Sequence, residues 1–465
     1  MKSTQNIVNR PKLRKRQARN QSGQALLVFL GFAAALTTVF LVTFNSGQVT
    51  NAKMRAMNAA DAAAYSGAVW QARSLNFQAY MNRAMIANEV AIAQSVSLRS
   101  WISYLDRFVT NINYITRFIP YLGAATQAVQ RVVNSVDNVV QQTLPFAETA
   151  LRFVNSIESK VQFGMNASGS AVAQDLASKV AALNGAQSTA ANTLLFADNS
   201  VAWFNLTDSY VGNRRARLRQ AALDSRDGFS YARDWNAGLP FIFHIRKQGG
   251  TDLIDYDSWK GLDSAKLEIN WNFLKGRWNT EIPIGWGGAQ AYSNIRYETR
   301  THGETNQWRD RDGRLANQVA NRDNARQYRG GIQFPDYRDV SNIDRKARLG
   351  VYKLPFSFEV MITDSAIPDS DSALNAKVAL QDGTQMSAKG NLVNGAVYAL
   401  STACVSFDRP YNAQRQDGHL ERPSLFSPYW RASLATEGRR ARLLADGSKG
   451  LAPVSAILGG ETTCS

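Results

Sequence analysis

The chain has 465 residues, 45% hydrophobic and 19% charged, which is enough for a sizeable core and excludes a wholly disordered polymer. Three His and two Cys leave little material for a zinc site or a cysteine framework, and a mean hydropathy of -0.29 excludes a polytopic membrane protein. Net charge is +16, yet seven cations (Lys2, Arg10, Lys12, Arg14, Lys15, Arg16 and Arg19) fall in the first 24 residues without one acid. The basic character is therefore partly a local feature of one end.

Residues 1–24 read as a basic arm, and 25–44 as a membrane span. Ala25 to Phe44 is 20 residues without a charge, twelve of them Leu, Val or Phe. As a helix it reaches about 30 Å, the thickness of a hydrocarbon core. The polar Thr37, Thr38 and Thr43 are tolerable there, because Thr hydroxyls bond back to helix carbonyls. A cleaved signal peptide has a shorter apolar run and a small-residue cleavage site. Asn45-Ser46-Gly47-Gln48 matches that site poorly, so an uncleaved anchor is expected. Lys and Arg flanks stay in the cytoplasm, so the arm is read as a topology signal rather than a nucleic-acid contact. The bulk of the chain is expected outside, in the periplasm of a bacterium.

Residues 45–234 read as an extracytoplasmic helical region. No Pro lies between Pro11 and Pro120, and good helix formers dominate from Gln48 to about Phe118. One long helix is expected to continue outwards from the span, with a break near Asn45-Ser46-Gly47. Ala52, Ala56, Ala60, Ala64, Ala68 and Ala72 recur every fourth residue. Such a stripe lets another element approach closely, either a later helix of the same chain or a second subunit. Trp101, Leu105, Phe108, Ile112 and Ile115 follow helical spacing and read as a core face. Pro120 with Gly123, Pro145, and Gly164 to Gly169 are expected breaks between helices of a bundle.

Residues 235–465 read as a β-rich domain. Nine of the twelve Pro are at or beyond Pro240. Lys266 to Phe273 alternates, with Leu267, Ile269, Trp271 and Phe273 on one face and Glu268, Asn270 and Asn272 on the other, as in a half-buried strand. Tyr352 to Ile362 and Ala396 to Phe407 also read as strands, and Gln381-Asp382-Gly383-Thr384 as a turn. Residues from about 300 to 350 are rich in Arg, Asp and Asn, and a long loop is expected. The fold class is α+β, with mainly antiparallel sheets following the helices.

Chemistry-bearing motifs are sparse. His244, His302 and His419 lack metal-ligand spacing. No nucleophile elbow or phosphate loop occurs, and Gly285-Trp286-Gly287-Gly288 lacks the following Lys. Asp252, Asp255 and Asp257 lack the calcium-loop pattern and read as a solvated turn. Arg214, Arg215, Arg217 and Arg219 are followed by Asp224, Asp227 and Asp234, which points to a salt-bridged helix face. No catalytic, cofactor or metal site is assigned, and the chain is read as a non-enzyme. Cys404 and Cys464 both fall outside the membrane. There they are expected to pair, with two unpaired thiols as the alternative.

The N-terminal stretch from Ser22 to Ala68 resembles TadG-like proteins, of the Flp pilus-assembly TadE/G-like family. The basic arm, Gly23-Gln24-Ala25 at the membrane edge, one span, and then Asn58-Ala59-Ala60-Asp61 followed by further Ala carry the likeness, over about a tenth of the chain. The resemblance implies a membrane-anchored structural or assembly component of a Flp (tight adherence) pilus system. Its implied partners are inner-membrane lipid and other pilus-assembly proteins or a second copy. Some pilin-like relatives are cut after a Gly that has a Glu five residues on. Here Val28 stands at that place beyond Gly23, so processing between Gly23 and Gln24 is the alternative, as is a membrane-tethered envelope enzyme. The metal site of a von Willebrand A domain is not assigned either. Asp364-Ser365-Ala366-Ile367-Pro368 and Asp369-Ser370-Asp371-Ser372 both lack its spacing.

Overall fold

A computed structural model describes residues 22–119, 121–239, 242–254, 258–271, 280–291, 334–341, 353–363, 378–379, 385–386, 392–393, 396–409, 421–436 and 438–449. Helices come first: α1 (Ser22–Thr116), α2 (Leu122–Leu183), a two-residue strand β1 (Gln187–Ser188) and α3 (Ala191–Leu206). Strand β2 (Thr207–Tyr210) leads through a 3₁₀ turn, Gly212–Arg215, to α4 (Ala216–Asp224) and α5 (Gly228–Tyr231). Then come β3 (Trp235–Leu239), β4 (Phe243–Ile254), β5 (Ser258–Ile269), β6 (Thr280–Gln290), β7 (Tyr337–Val340) and β8 (Lys353–Thr363). The chain continues through β9 (Val378–Ala379), β10 (Gln385–Met386), β11 (Leu392–Val393), β12 (Ala396–Phe407), β13 (Trp430–Ala435) and α6 (Arg439–Ser448). The fold is α+β, as the composition shift near Trp235 implies.

The helices are longer than the punctuation in the sequence suggests. α1 runs 95 residues without a break at Asn45-Ser46-Gly47. α2 passes through Pro145, Gly164 and Gly169 over 62 residues. A proline inside a helix removes one backbone hydrogen bond, and the chain absorbs that loss here because α2 is tied along its length to α1. The break does fall after Thr116, where a turn ends at Tyr121, whose φ of 66° is left-handed.

Contacts divide the chain into two units. The smaller comprises Met1–Ala60, Ala181–Thr189 and Glu359–Ala399, and the larger Asp61–Val180, Ala190–Phe358 and Leu400–Ser465. In the smaller unit β1 pairs antiparallel with β8, Gln187 opposite Met361. β11 pairs with β12, and β9 with β10 across the expected turn at 381–384, which itself lies outside the described residues. Lys53 on α1 donates to the Tyr398 carbonyl at 2.5 Å.

In the larger unit β3, β4, β5 and β6 form an antiparallel meander. α1 lies on it through a row of glycines. A Cβ on Gly261 would stand 3.0 Å from Ser100 Cβ, and one on Gly285 2.8 Å from Phe108 Cβ and Tyr104 Cε2. One on Gly287 would overlap the backbone of Tyr104 and Ser100. Val96, Ser100, Tyr104 and Phe108 are one turn apart, so the row receives successive turns of a single helix face. The Gly285–Gly288 run thus serves helix-on-sheet packing. Met85, Ile92, Ala93 and Val96 of α1 meet Leu253, Trp259 and Tyr337 in an apolar cluster of this unit. Each large side chain buried there contributes about 1.5–3 kcal/mol. β12 also pairs with β13, in the same five-stranded sheet as β8 and β11, with Cys404 opposite Ser433.

Two local expectations are corrected. The stretch near 300–350 contains a core strand. Tyr337, Asp339 and Val340 of β7 are fully buried, and β7 pairs with β2; residues 292–333 and 342–352 lie outside the described set. On β5 the polar face is the more buried one. Glu268 and Asn270 are buried while Trp271 is 68% exposed. Glu268 tolerates burial because Lys266 Nζ stands 2.7 Å away and His244 Nδ1 3.6 Å.

Candidate functional site

Among the described residues, none buries the apolar stretch that opens α1. From Leu26 to Phe40 its large apolar side chains are exposed, as is Phe44. The apolar window here has a mean hydropathy of 2.5 and is 0% buried. Its polar groups are satisfied internally. The hydroxyls of Thr37, Thr38 and Thr43 each donate at 2.8 Å to the carbonyl four residues back, on Ala33, Ala34 and Val39. A charge-free helix that meets every backbone requirement internally is suited to lipid. It is long and apolar enough to cross a membrane. The basic arm, residues 1–21, lies outside the described residues. Gly23 and Gln24 fall in the first turn of α1.

Past the apolar segment the helix acquires a buried side. Ala52, Ala56, Ala60, Ala64, Ala68 and Ala72 are all 5% exposed or less. The stripe is therefore occupied within the chain. Beside it, a Cβ on Gly67 would enter the ring of Phe356 on β8. At that point α1 rests on a strand, where a second helix was the expectation. The family motif splits across the helix. Ala59 and Ala60 are buried, Asn58 is exposed, and Asp61 is half-buried. Met54, Met57 and Tyr65 are exposed near Asn58.

Farther along, α1 and α2 run antiparallel and meet through polar side chains. Asn82 accepts from Gln162 at 2.8 Å. Glu89 accepts from Asn155 at 2.8 Å and from Trp259 Nε1 at 2.8 Å, with Arg152 Nε 3.6 Å away. Arg99 pairs with Glu148 at 3.0 Å, and Ser95 donates to Glu148 at 2.6 Å. Asn113 donates to Gln130 at 2.7 Å. Deeper in the sheet, Asp263 is fully buried. It accepts from Ser100 at 2.6 Å, from Arg233 Nη2 at 2.8 Å, and from Lys247. Two cations share that one carboxylate. Burial holds the Lys247 ammonium below its usual 10.5, with Asp263 opposing. No run of sequence announces this network, although inward polar residues on α2 at steps of three and four (Glu148, Arg152, Asn155, Ser159, Gln162) are its trace.

The remaining sequence candidates separate. His244 faces Glu268, while His302 and His419 lie outside the described residues. Asp252 receives Arg226 and its own neighbour's amide; Asp255 and Asp257 lie outside. Among the described residues no three His, Cys, Asp or Glu gather around a common point. The arginine run does form ion pairs, one with an acid just upstream and two with acids far downstream. Arg214 meets Asp208, Arg215 meets Asp336, and Arg217 meets Asp339. The nearby Asp227 accepts from Gln94 and Ser230, and Asp234 from Gly249. The run pins β2 and β7 to the 3₁₀ turn and α4. Cys404 is buried on β12, and Cys464 lies outside the described residues, as do residues 364–372.

Residues 23–72 match the family model described as "Putative Flp pilus-assembly TadE/G-like". The match begins at the membrane edge and ends on the last alanine of the stripe. It covers the apolar segment, Asn58-Ala59-Ala60-Asp61, and no residue of the four-stranded meander. No curated protein and no solved structure matches the chain significantly.

Proposed function

We propose that this chain, with its TadE/G-like N-terminal segment, is a non-enzymatic, membrane-anchored structural or assembly component of a Flp (tight adherence) pilus system. The observation that carries the reading is the junction within α1. An uncovered, charge-free span passes without interruption into a helix whose alanine stripe is packed by its own chain. Such a helix ties a folded domain to a bilayer. The seven cations before the span support a topology with the N-terminus in the cytoplasm and the bulk in the periplasm. A structural role is supported by where the ionisable groups are spent. Glu89, Glu148, Asp263 and Asp339 are buried in ion pairs or hydrogen bonds that join helices to one another or to sheets, which supports a role in holding the fold together.

The test is genetic and biochemical together. Deleting the gene in a piliated host is expected to abolish surface pili in negative-stain micrographs. Detergent-extracted protein is expected to co-purify with other components of the pilus system. A deletion strain with wild-type pilus numbers would contradict the proposal.

A further inference from the structure

An open cavity of about 380 Å³ lies in the larger unit between α1, α4 and the segment before β13. Its apolar lining is Ile86, Ala221 and Phe426, and its polar lining is Arg83, Arg217 and Ser225. Ile86 and Phe426 pack on the apolar cluster that holds Met85 and Tyr337, and the Phe426 and Tyr337 rings stand 5.6 Å apart. Side chains also pin the backbone at Leu425 and Phe426. Asn82 donates to the Leu425 carbonyl at 2.6 Å, and the Leu425 amide donates to Asp339 at 2.7 Å. Two guanidiniums flank this floor. Arg83 Nε donates to the Phe426 carbonyl at 2.6 Å, and Arg217 lies over the Phe426 ring, 4.8 Å from its centroid.

The two cations are not equivalent. Arg217 spends Nη1 on the fully buried Asp339 carboxylate, which balances its charge. Arg83 is exposed, and among the described residues no carboxylate pairs with it; its Nε is committed to a neutral carbonyl. The cavity therefore carries one unbalanced positive charge at the edge of an apolar floor. We infer that it receives a carboxylate side chain from an acidic segment of another protein. A planar guanidinium fork matches a carboxylate through two parallel hydrogen bonds, and with Nε occupied Arg83 keeps its two Nη groups for that purpose. The apolar floor suits the methylenes that carry a carboxylate in a peptide. An inorganic anion would need polar partners there instead. One unbalanced charge is too few for a polyanion such as nucleic acid, whose affinity comes from neutralising many phosphates at once. Both guanidiniums are held in place before a partner arrives, so little side-chain freedom is lost on binding. All six lining residues fall outside residues 23–72, so the chemistry of the cavity stands apart from the pilus reading.

The experiment uses the full-length protein in detergent and two rhodamine-labelled peptides, Gly-Ser-Leu-Glu-Ser-Gly-amide and its Gln counterpart, followed by fluorescence anisotropy. The wild type is expected to bind the Glu peptide about tenfold more tightly than the Gln peptide, the worth of one charge-assisted pair. Arg83→Gln is expected to remove that preference while keeping the wild-type melting temperature, because Gln can still donate to the Phe426 carbonyl. Ala221→Glu supplies a carboxylate to the cavity from within the chain. It is expected to remove the preference as well, which tests the site through a second residue should Arg83→Gln fail to fold. Equal affinity of the wild type for the two peptides, or a preference that survives either substitution in folded protein, overturns the proposal. Displacement of the Glu peptide by an equimolar amount of sodium phosphate also overturns it, since that marks an anion site without peptide recognition.

Discussion

Gly287 lies so close beneath Tyr104 that a methyl group on it would overlap the tyrosine's backbone nitrogen. The sheet and the long helix share van der Waals surface at this point with no side chain between them. Gly287→Ala is expected to destabilise by about 1–3 kcal/mol, the usual cost of overpacking. Gly164 on α2 has nothing within 4 Å of its Cβ position, so Gly164→Ala is expected to stabilise by up to about 1 kcal/mol. Thermal unfolding in detergent compares the two. Equal melting temperatures for Gly287→Ala and wild type would contradict the close approach.

Asp263 neutralises two buried cations, which makes it the acid whose removal costs most. Asp263→Asn strands Arg233 and Lys247 in the interior, and a loss of about 3–5 kcal/mol is expected. The contrast is Asp175, paired with Lys179 on an exposed turn of α2 at 2.7 Å. Asp175→Asn is expected to cost no more than about 0.5 kcal/mol. Denaturant midpoints for the two variants check the ranking. Similar losses would mean that Asp263 has access to solvent.

The α1–α2 seam carries a pH signature at Asp106. Burial, and then the neighbouring Asp137, raise its carboxyl above the ordinary 3.8, while Arg107 pulls the other way. A carboxyl raised in the folded state contributes stability that is complete below 3.8 and is lost as pH rises through its folded value. Asp106→Asn is therefore expected to melt higher than wild type at pH 7, with the difference closing as pH falls towards 3.8. A difference that stays constant with pH would contradict this sign.

Cys404 is the one cysteine among the described residues. In an oxidising periplasm it is expected to pair with Cys464, closing a loop of about 60 residues and stabilising by about 4 kcal/mol in the chain-entropy model. Intact mass after iodoacetamide treatment is expected to show no adduct until the protein is reduced. An adduct on the unreduced denatured protein would remove the bridge.

The span, the change from helices to strands near Trp235, and β12 with its ends at Ala396 and Phe407 were legible in the sequence, because each rests on a local run of apolar or β-branched residues. Thr37, Thr38 and Thr43 bond as residues of that type do in a helix. The continuity of α2 was not legible. Pro145 carries a local cost that side chains more than 40 residues away on α1 offset, and Gly169 lies against Trp203 of α3. The partners of Arg215 and Arg217 were also hidden, since Asp336 and Asp339 stand over 100 residues downstream in a stretch whose composition reads as loop. On β5, Lys266 two residues away and His244 on the neighbouring strand let Glu268 turn inward, while Trp271 stays outside.

The central claim is that α1 crosses the inner membrane with the folded bulk outside the cytoplasm. Protease added to intact spheroplasts, with the chain followed by an antibody to its C-terminal half, tests this most directly. The account predicts loss of the full-length band while a cytoplasmic marker survives. A full-length band that persists until the spheroplasts are lysed would contradict it.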